Sequence, residues 1–409
     1  MAYTELNQGF LIEGDAIDES SSTSYDLNDM IKDVMIKKDY LTKSFPLFVI
    51  DLKTTEEVRD FIRDNEVKIN LTIYVYNIDS NNETSEEDNE DPTITDTYFS
   101  GVIRLYDKPF TTTSAKTDED DETDDANTQS QSAPFVYYRV SGIPEELIEK
   151  NSYIVNEVYS NAALDDVLVN VITSIDSGDI YIEPSNNKDI HKSVFIPPST
   201  LTQAIGFLDD NYKIYDGVCR VFLDSDCTYV YNPESADLEA SNVFEYKVMD
   251  INSSANTSEY LKTTIDYSTN NMKMTVKSIS GFASEDRIVG NSIGSNVNYY
   301  SYDDNFNLIV RGDSSSLAFD KTKYFWNPNK KRIFETSELN SIETSAKALI
   351  ITLRDVNPGY IKPTTLFAVS ASDYPEVKGN FFPITTNISF ASEDLKHYSG
   401  MTSISLLKK

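Results

Sequence analysis

The 409-residue chain holds only two cysteines, two histidines and one tryptophan, and no apolar run approaches the roughly 20 residues that a membrane helix needs. Each scarcity removes a class of function. With His191 and His397 alone, the commonest general base and metal ligand is nearly missing. Cys219 and Cys227 fit neither a C-x-x-C pair nor a zinc-finger spacing. They flank Asp224-Ser225-Asp226, and a turn centred on Ser225 sets Cys227 opposite Leu223 rather than Cys219, so two free thiols are expected. No phosphate-cradling G-x-x-x-x-G-K-[ST] and no calcium loop with a terminal Glu is present. The start MAYTELNQGFLIEGDAID has neither the basic region nor the apolar core of a signal peptide, so a protein made and kept in a cytoplasm is expected.

Positive charge is also scarce: 35 Lys and Arg stand against 67 Asp and Glu, a net charge of −32. Phosphate backbones are held by cations that displace counterions, so this balance argues against stable nucleic-acid binding. It leaves room for a channel wall past which DNA slides without sticking. Tyr (26) and Phe (20) are plentiful, and they supply the rigid surface that sheets and protein interfaces use. Cores stop growing near about 250 to 300 residues, so several packed modules are expected.

The first forty residues are polar and acidic, with Ser20 to Ser24 nearly all Ser or Thr, and read as an extended arm that needs a partner for order. KTTEEVRDFIRDN predicts a short helix with Thr54 as N-cap, Glu57 at the capping-box position, and Val58, Phe61 and Ile62 on one face. KINLTIYVYNI alternates with period two, with Ile69, Leu71, Ile73 and Val75 on one face; FSGVIRLYDKPF and FVYYRV are further strands. Between them lie two acidic loops, eight carboxylates from Asp79 to Asp96 and seven from Asp118 to Asp125. The first module is thus a small antiparallel barrel or sheet with acidic insertions.

SNAALDDVLVNVITSI carries the strongest helical stripe (Leu164, Val167, Leu168, Val171, Ile172, Ile175), capped by Ser160 or Asn161. Thr200 and Gln203 make a capping box opening LTQAIGFLDDNY, and paired strands VCRVFL and CTYVYN follow. This predicts a compact α/β module. VFEYKVM, NMKMTVKSI, NLIVRG, KALIITLRDV, TTLFAVS and FFPITTNISF then return to strands, separated by turns such as Asn357-Pro358-Gly359.

Chemistry is thinly represented. Gly290-Asn291-Ser292-Ile293-Gly294 matches the G-x-S-x-G nucleophile pattern, with Asp355 and His397 following in hydrolase order. That motif requires a strand-to-helix elbow, whereas SNVNYYSYDD follows it here. A hydrolase acting through Ser292 stays open as the enzyme alternative. Asp224-Ser225-Asp226 and the acidic runs read as solvated loops, and Arg311-Gly312-Asp313 as a turn. No catalytic, cofactor-binding or metal-ligating residue is assigned, no cofactor is expected, and the chain is read as a non-enzyme.

The layout resembles the baseplate (tail) hub protein of contractile-tailed bacteriophages. Three stretches carry the resemblance: FPLFVIDL with KINLTIYVYNI and FSGVIRLYDKPF; IPPSTLTQAIGFLDDNYKIYDGVCRVFLDSDCTYVYN; and IKPTTLFAVSASDYPEVKGNFFPITTNISF. The likeness spans about three quarters of the chain as layout. It implies a mainly β, multi-domain fold with α+β parts, in which two tube-like antiparallel β-barrel modules flank a small α/β module. The implied domains are an acidic N-terminal arm over 1–39, a first tube-like barrel with acidic loop insertions over 40–142, the α/β module over 143–232, a second tube-like barrel over 233–275 and 341–409, and an inserted β segment over 276–340. It further implies a homotrimer that joins a sixfold tail tube to a threefold central spike in the virion tail baseplate, assembled in the host cytoplasm. Its partners would be tube, spike and other baseplate proteins, with no membrane and no stable nucleic-acid binding, while DNA passes through a channel lined by acids. A β-rich host-binding adhesin is the alternative, although it usually shows repeats or a coiled-coil stem.

Overall fold

The computed structural model describes residues 4–78, 92–109, 113–114, 135–176, 178–215, 219–233, 243–248, 263–267, 272–283, 298–302, 308–311, 324–327, 332–335, 347–371, 379–392 and 394–408. The acidic runs at 79–91 and 118–125, the motif around Ser292, and Gly312-Asp313 lie outside these residues.

The fold is mainly β with α+β parts. Strands β1 (Thr4–Leu6), β2 (Gln8–Asp18), β3 (Ser24–Asp26), β4 (Ile31–Asp39) and β5 (Leu47–Thr54) precede helix α1 (Glu56–Asp64). Then come β6 (Val67–Asn77), β7 (Ile94–Asp107), β8 (Thr113–Ser114) and β9 (Val136–Pro144). The middle of the chain folds as α2 (Glu145–Ser152), β10 (Ile154–Ala162), α3 (Leu164–Thr173), β11 (Asp179–Ile182), β12 (His191–Thr200), α4 (Leu201–Tyr212), β13 (Arg220–Leu223) and β14 (Cys227–Tyr231). It continues with β15 (Val243–Val248), β16 (Thr263–Tyr267), β17 (Met272–Ala283), β18 (Asn298–Tyr302), β19 (Leu308–Arg311), β20 (Tyr324–Asn327) and β21 (Arg332–Glu335). The last strands are β22 (Lys347–Arg354), β23 (Leu366–Ala371), β24 (Gly379–Ala391) and β25 (Ser399–Lys408).

The acidic arm expected over 1–39 is instead part of the sheet. β2 pairs with β6 along its whole length, from Gln8↔Asn77 to Asp18↔Val67, and buries Phe10, Ile12 and Ala16 while Glu13 and Asp15 face solvent. Those outward acids mask a strand of period two, so residue counts read as an arm what alternation makes a strand. The Ser run is the turn after β2: the Asp18 carboxylate accepts from the Ser20 N–H at 3.0 Å and the Ser21 hydroxyl at 2.6 Å.

Sixteen strands form one continuous sheet. Its pairings run β23-β15-β16-β17-β22-β25-β24, and β24 also pairs with β23, so these seven strands form a closed circuit of neighbours. β15 and β23 run parallel within it, a departure from the all-antiparallel expectation. β17 crosses the expected boundary at 275, whereas β18 to β21 form a separate four-stranded sheet. The carboxyl-terminal half of β24 pairs with β4, and the pairing continues through β5, β9, β7 and β6 to β2. An antiparallel bridge between Phe10 and Tyr398 returns β2 to the start of β25. β24 and β25 therefore belong to both circuits. Inside the amino-terminal circuit Phe10 and Phe390 pack with ring centroids 4.8 Å apart, among Ile36, Ile50, Ile73 and Val140.

The α/β module has its own core, built from Val167, Leu168 and Val171 of α3, Leu201, Ile205 and Leu208 of α4, and Val194 and Ile196 of β12. The capping box of Thr200 and Gln203 is present. α3 starts at Leu164 with Ala163 as N-cap, because Ser160 to Ala162 complete β10 against β12. α1 is capped by Thr55, one residue later than expected, since Thr54 closes β5 opposite Val136. The β13–β14 hairpin sets Leu223 opposite Thr228, one residue out from the register expected for Cys227, because its turn is Ser225-Asp226 rather than a turn centred on Ser225. Both cysteines are free thiols.

A Cβ on Gly400 would stand 2.4 Å from the Phe10 ring, which is fully buried beside the closing bridge. Gly400→Ala is expected to lower the unfolding free energy by about 1–3 kcal/mol in urea denaturation, the usual cost of overpacking; an unchanged midpoint would show that this closure is loosely packed.

Candidate functional site

Where the two circuits meet the α/β module, strands and turns from all three converge on a cavity of about 220 Å³. Lys38 enters it from β4. Its neighbours two and four residues back, Ile36 and Val34, are core residues, so the strand's alternation drives Lys38 inward with them. A buried ammonium needs a counter-charge. It finds the Asp224 carboxylate at 2.5 Å, each side chain being 8% exposed.

Asp224 stands at the tip of the β13–β14 hairpin, where its other oxygen accepts the Ser225 N–H at 3.0 Å. Asp226, across the tip, forms an ion pair with Lys362, which follows the 3₁₀ turn Pro358–Tyr360. One hairpin tip thus ties to the amino-terminal circuit through Lys38 and to the carboxyl-terminal segment through Lys362. Asn357 adds a third tie: its amide donates to Asp96 on β7 at 2.9 Å, and its backbone N–H donates to the Gln8 side chain at 2.7 Å. Tyr40 packs edge-on against Phe222 at 4.8 Å, and its hydroxyl donates to Thr386 of β24 at 3.2 Å.

Burial disfavours the Lys38 ammonium, but Asp224 beside it, with Tyr98 and Tyr40, outweighs that cost and holds its pKa well above the usual lysine value. Burial pushes the Tyr98 phenol up to about 12, even with Lys38 5.7 Å from its ring. At neutral pH the lysine is therefore a fixed cation and the tyrosine a neutral donor, so neither serves as a general base. The arrangement is a joint between modules. Farther down the hairpin, the buried Asp176 accepts from Thr228 at 2.7 Å and from Gly178 at 2.9 Å, with Lys150 at 3.1 Å. Desolvation raises the Asp176 pKa, but these partners together bring it below the usual carboxylate value.

Of the hydrolase pattern only Asp355 and His397 lie among the described residues, and each has other partners. Asp355 bonds Arg354 and the Gly400 N–H, while His397 pairs with Asp394 at 3.0 Å. The His191 ring packs edge-on to Tyr212 at 5.1 Å. Among the described residues, no group of three His, Cys, Asp or Glu is placed to hold a metal ion. The joint itself was not singled out from the sequence. Its one signal was a lysine at an inward position of an alternating strand.

A family model matches residues 6–394 and is that of the Bacteriophage PBS1 gene 109 protein. The chain belongs to this bacteriophage family. No functionally curated protein sequence matches it. Among solved structures, it is similar to a tail protein from Neisseria meningitidis MC58 (9% identity, TM-score 0.47, covering 98% of this chain and 97% of that one). A 43 kDa tail protein of prophage MuSo2 from Shewanella oneidensis gives 8% identity and a TM-score of 0.47 over 98% and 97% of the two chains. The E. coli c3393 protein, described as a type VI secretion component with structural similarity to T4 tail proteins gp27 and gp5, gives 8% identity and a TM-score of 0.40 over 93% and 73%.

Two tests follow from the joint. Lys38→Met strands a buried carboxylate and is expected to cost about 3–5 kcal/mol of unfolding free energy, whereas Lys38→Met with Asp224→Leu recovers most of it. Equal urea midpoints for the single variant and wild type would remove the joint from the stabilising interactions. Asp176 contributes stability that is complete above pH about 4 and is lost as the pH falls through its lowered folded-state value. The stability gap between wild type and Asp176→Asn should therefore narrow as the pH falls below about 4, as read by thermal melts; a gap independent of pH would contradict this.

Proposed function

We propose that this member of a bacteriophage family is a structural, non-enzymatic component of the phage tail baseplate: a trimeric hub that joins a sixfold tail tube to a threefold central spike in the virion, after assembly in the host cytoplasm. The observation that carries the reading is the pair of strand circuits sharing β24 and β25 within one chain. Two β units per subunit, rigidly linked through shared strands, let three copies offer six similar units to a sixfold partner and three whole subunits to a threefold one. The two circuits take the part of the two tube-like domains, the α/β module packs beside them, and the small sheet of β18 to β21 is an insertion. The joint around Lys38 and Asp224 fits this role, because it fixes the α/β module against both circuits. Tube, spike and other baseplate proteins are the partners, and DNA passes through the ring without being held.

Electron-microscopy class averages of the purified protein, alone and mixed with its candidate spike, test the reading. Threefold rings with six similar lobes around a channel are expected; monomers in both samples would overturn it in favour of an adhesin.

A further inference from the structure

We infer that the outer edge of β10 is a contact between two copies of this chain, made by β10 pairing antiparallel with its own counterpart about Val158. The inference goes beyond the threefold ring, because a twofold contact cannot close a ring of three and so lies outside it. β10 and β12 form a two-stranded ribbon that no other strand joins among the described residues. Its inner side, Val155 of β10 with Val194 and Ile196 of β12, is buried in the core of the α/β module. Its outer side is open: Ile154 is 56% exposed, Val158 64% and Phe195 48%, and Val158 stands directly opposite Phe195. With Tyr153 these are four of the eleven large apolar side chains exposed among the described residues, so exposed apolar surface is concentrated on one short ribbon.

The two edges of the ribbon differ. On β12 the Phe195 N–H donates to the Tyr212 hydroxyl at 3.1 Å, and Pro197 and Pro198 have no N–H to offer, so that edge is closed to a further strand. Facing residues of an antiparallel pair turn their backbone groups alike, either toward each other or outward. Since Phe195 points its N–H outward, Val158 does too, and Asn156 and Ser160 follow at period two. β10 therefore presents a row of backbone donors and acceptors beside an apolar face, which is what an added strand uses. One open edge per copy makes the contact complete with two copies, so it does not propagate.

The strand's own sequence fits a second copy as the occupant. Centred on Val158, antiparallel pairing sets Val158 opposite the second copy's Val158, Asn156 opposite Ser160, and Glu157 opposite Tyr159. The central row then runs Phe195, Val158, Val158, Phe195 across four strands, and the rows beside it pair carboxylate with phenol and amide with hydroxyl. Glu157 already accepts the Tyr159 hydroxyl of its own strand, so this carboxylate and phenol are compatible neighbours. Centring on Glu157 would instead set two carboxylates opposite each other, which is destabilising. Asn161, at φ 50°, leaves the extended conformation and ends the pairing on that side. The outward side chains Ile154, Asn156, Val158, Ser160, Ser193 and Phe195 carry no charge, so the contact adds no like-charged pair to a chain of net charge −32.

Sedimentation velocity of the full-length protein over a range of concentrations tests the inference. The wild type is expected to double in mass reversibly, whether its unit is one chain or a ring of three, and to do so more readily as added salt screens the net charge. Val158→Lys sets two ammonium groups opposite each other and is expected to weaken the doubling at least about tenfold, whereas Ser193→Lys, on the same face but away from the twofold, changes it much less. Under mild oxidation Val158→Cys is expected to give a covalent dimer, since facing Cα atoms about 5.5 Å apart suit a disulfide, while the wild type, with Cys219 and Cys227, gives none. This cross-link provides the readout should the lysine variant fail to fold. No doubling in the wild type, doubling that Val158→Lys leaves intact, or no cross-link from Val158→Cys would overturn the inference. Threefold rings without the cross-link would sink this contact alone, and the cross-link without rings would sink the hub alone.

Discussion

The hydrogen bonding of β24 constrains more of this molecule than any other interaction. Its amino-terminal end pairs with β23, its carboxyl-terminal half pairs with β4, and its other edge is paired with β25 along the strand. A strand has two edges, so a third neighbour is possible only where one edge changes partner along its length. Here the change follows Pro383, at an irregularity in the β24–β25 register. Proline has no N–H to donate, and such residues sit where a ladder is interrupted. Two strand circuits are thereby fused without a flexible linker, and their relative orientation is fixed by backbone pairing rather than by side-chain contacts.

The same fusion explains why the buried ion pair lies where it does. Strand β4 is inserted beside β24, and its inward positions face the amino-terminal core until the strand reaches the α/β module, where Lys38 meets a hairpin tip instead of hydrocarbon. A buried charge pair contributes little net stability compared with apolar packing, but it tolerates only one partner arrangement. That property suits a joint in which the buried aromatic contact of Tyr40 with Phe222 supplies apolar packing and the ion pair fixes the arrangement. The second tie, between Lys362 and Asp226, lies nearer to solvent and so contributes less.

Charge distribution completes the picture. A net charge of −32 opposes the close approach of copies of the chain. The outward positions of β4 and β5 alternate with their core side as the pleat dictates. Acidic side chains of the amino-terminal strands, Glu13 and Asp15 among them, point away from the core on β2, so they colour the composition without interrupting the sheet.

The sequence by itself determined the β-rich class, the alternation of β6, the capping box of α4 and the apolar stripe of α3, because each depends on neighbours within a dozen residues. It also determined that the two thiols are separated by a hairpin turn, although the register was settled only by the turn length. Tertiary structure alone decided that residues 8–39 belong to the sheet, since pairing Phe10 with Val75 and Tyr398 joins positions far apart in the chain. It alone brought Lys38 to Asp224 across 186 residues. Long-range backbone pairing leaves no local pattern in either partner, so the shared strand and the joint it creates could be read only from the fold.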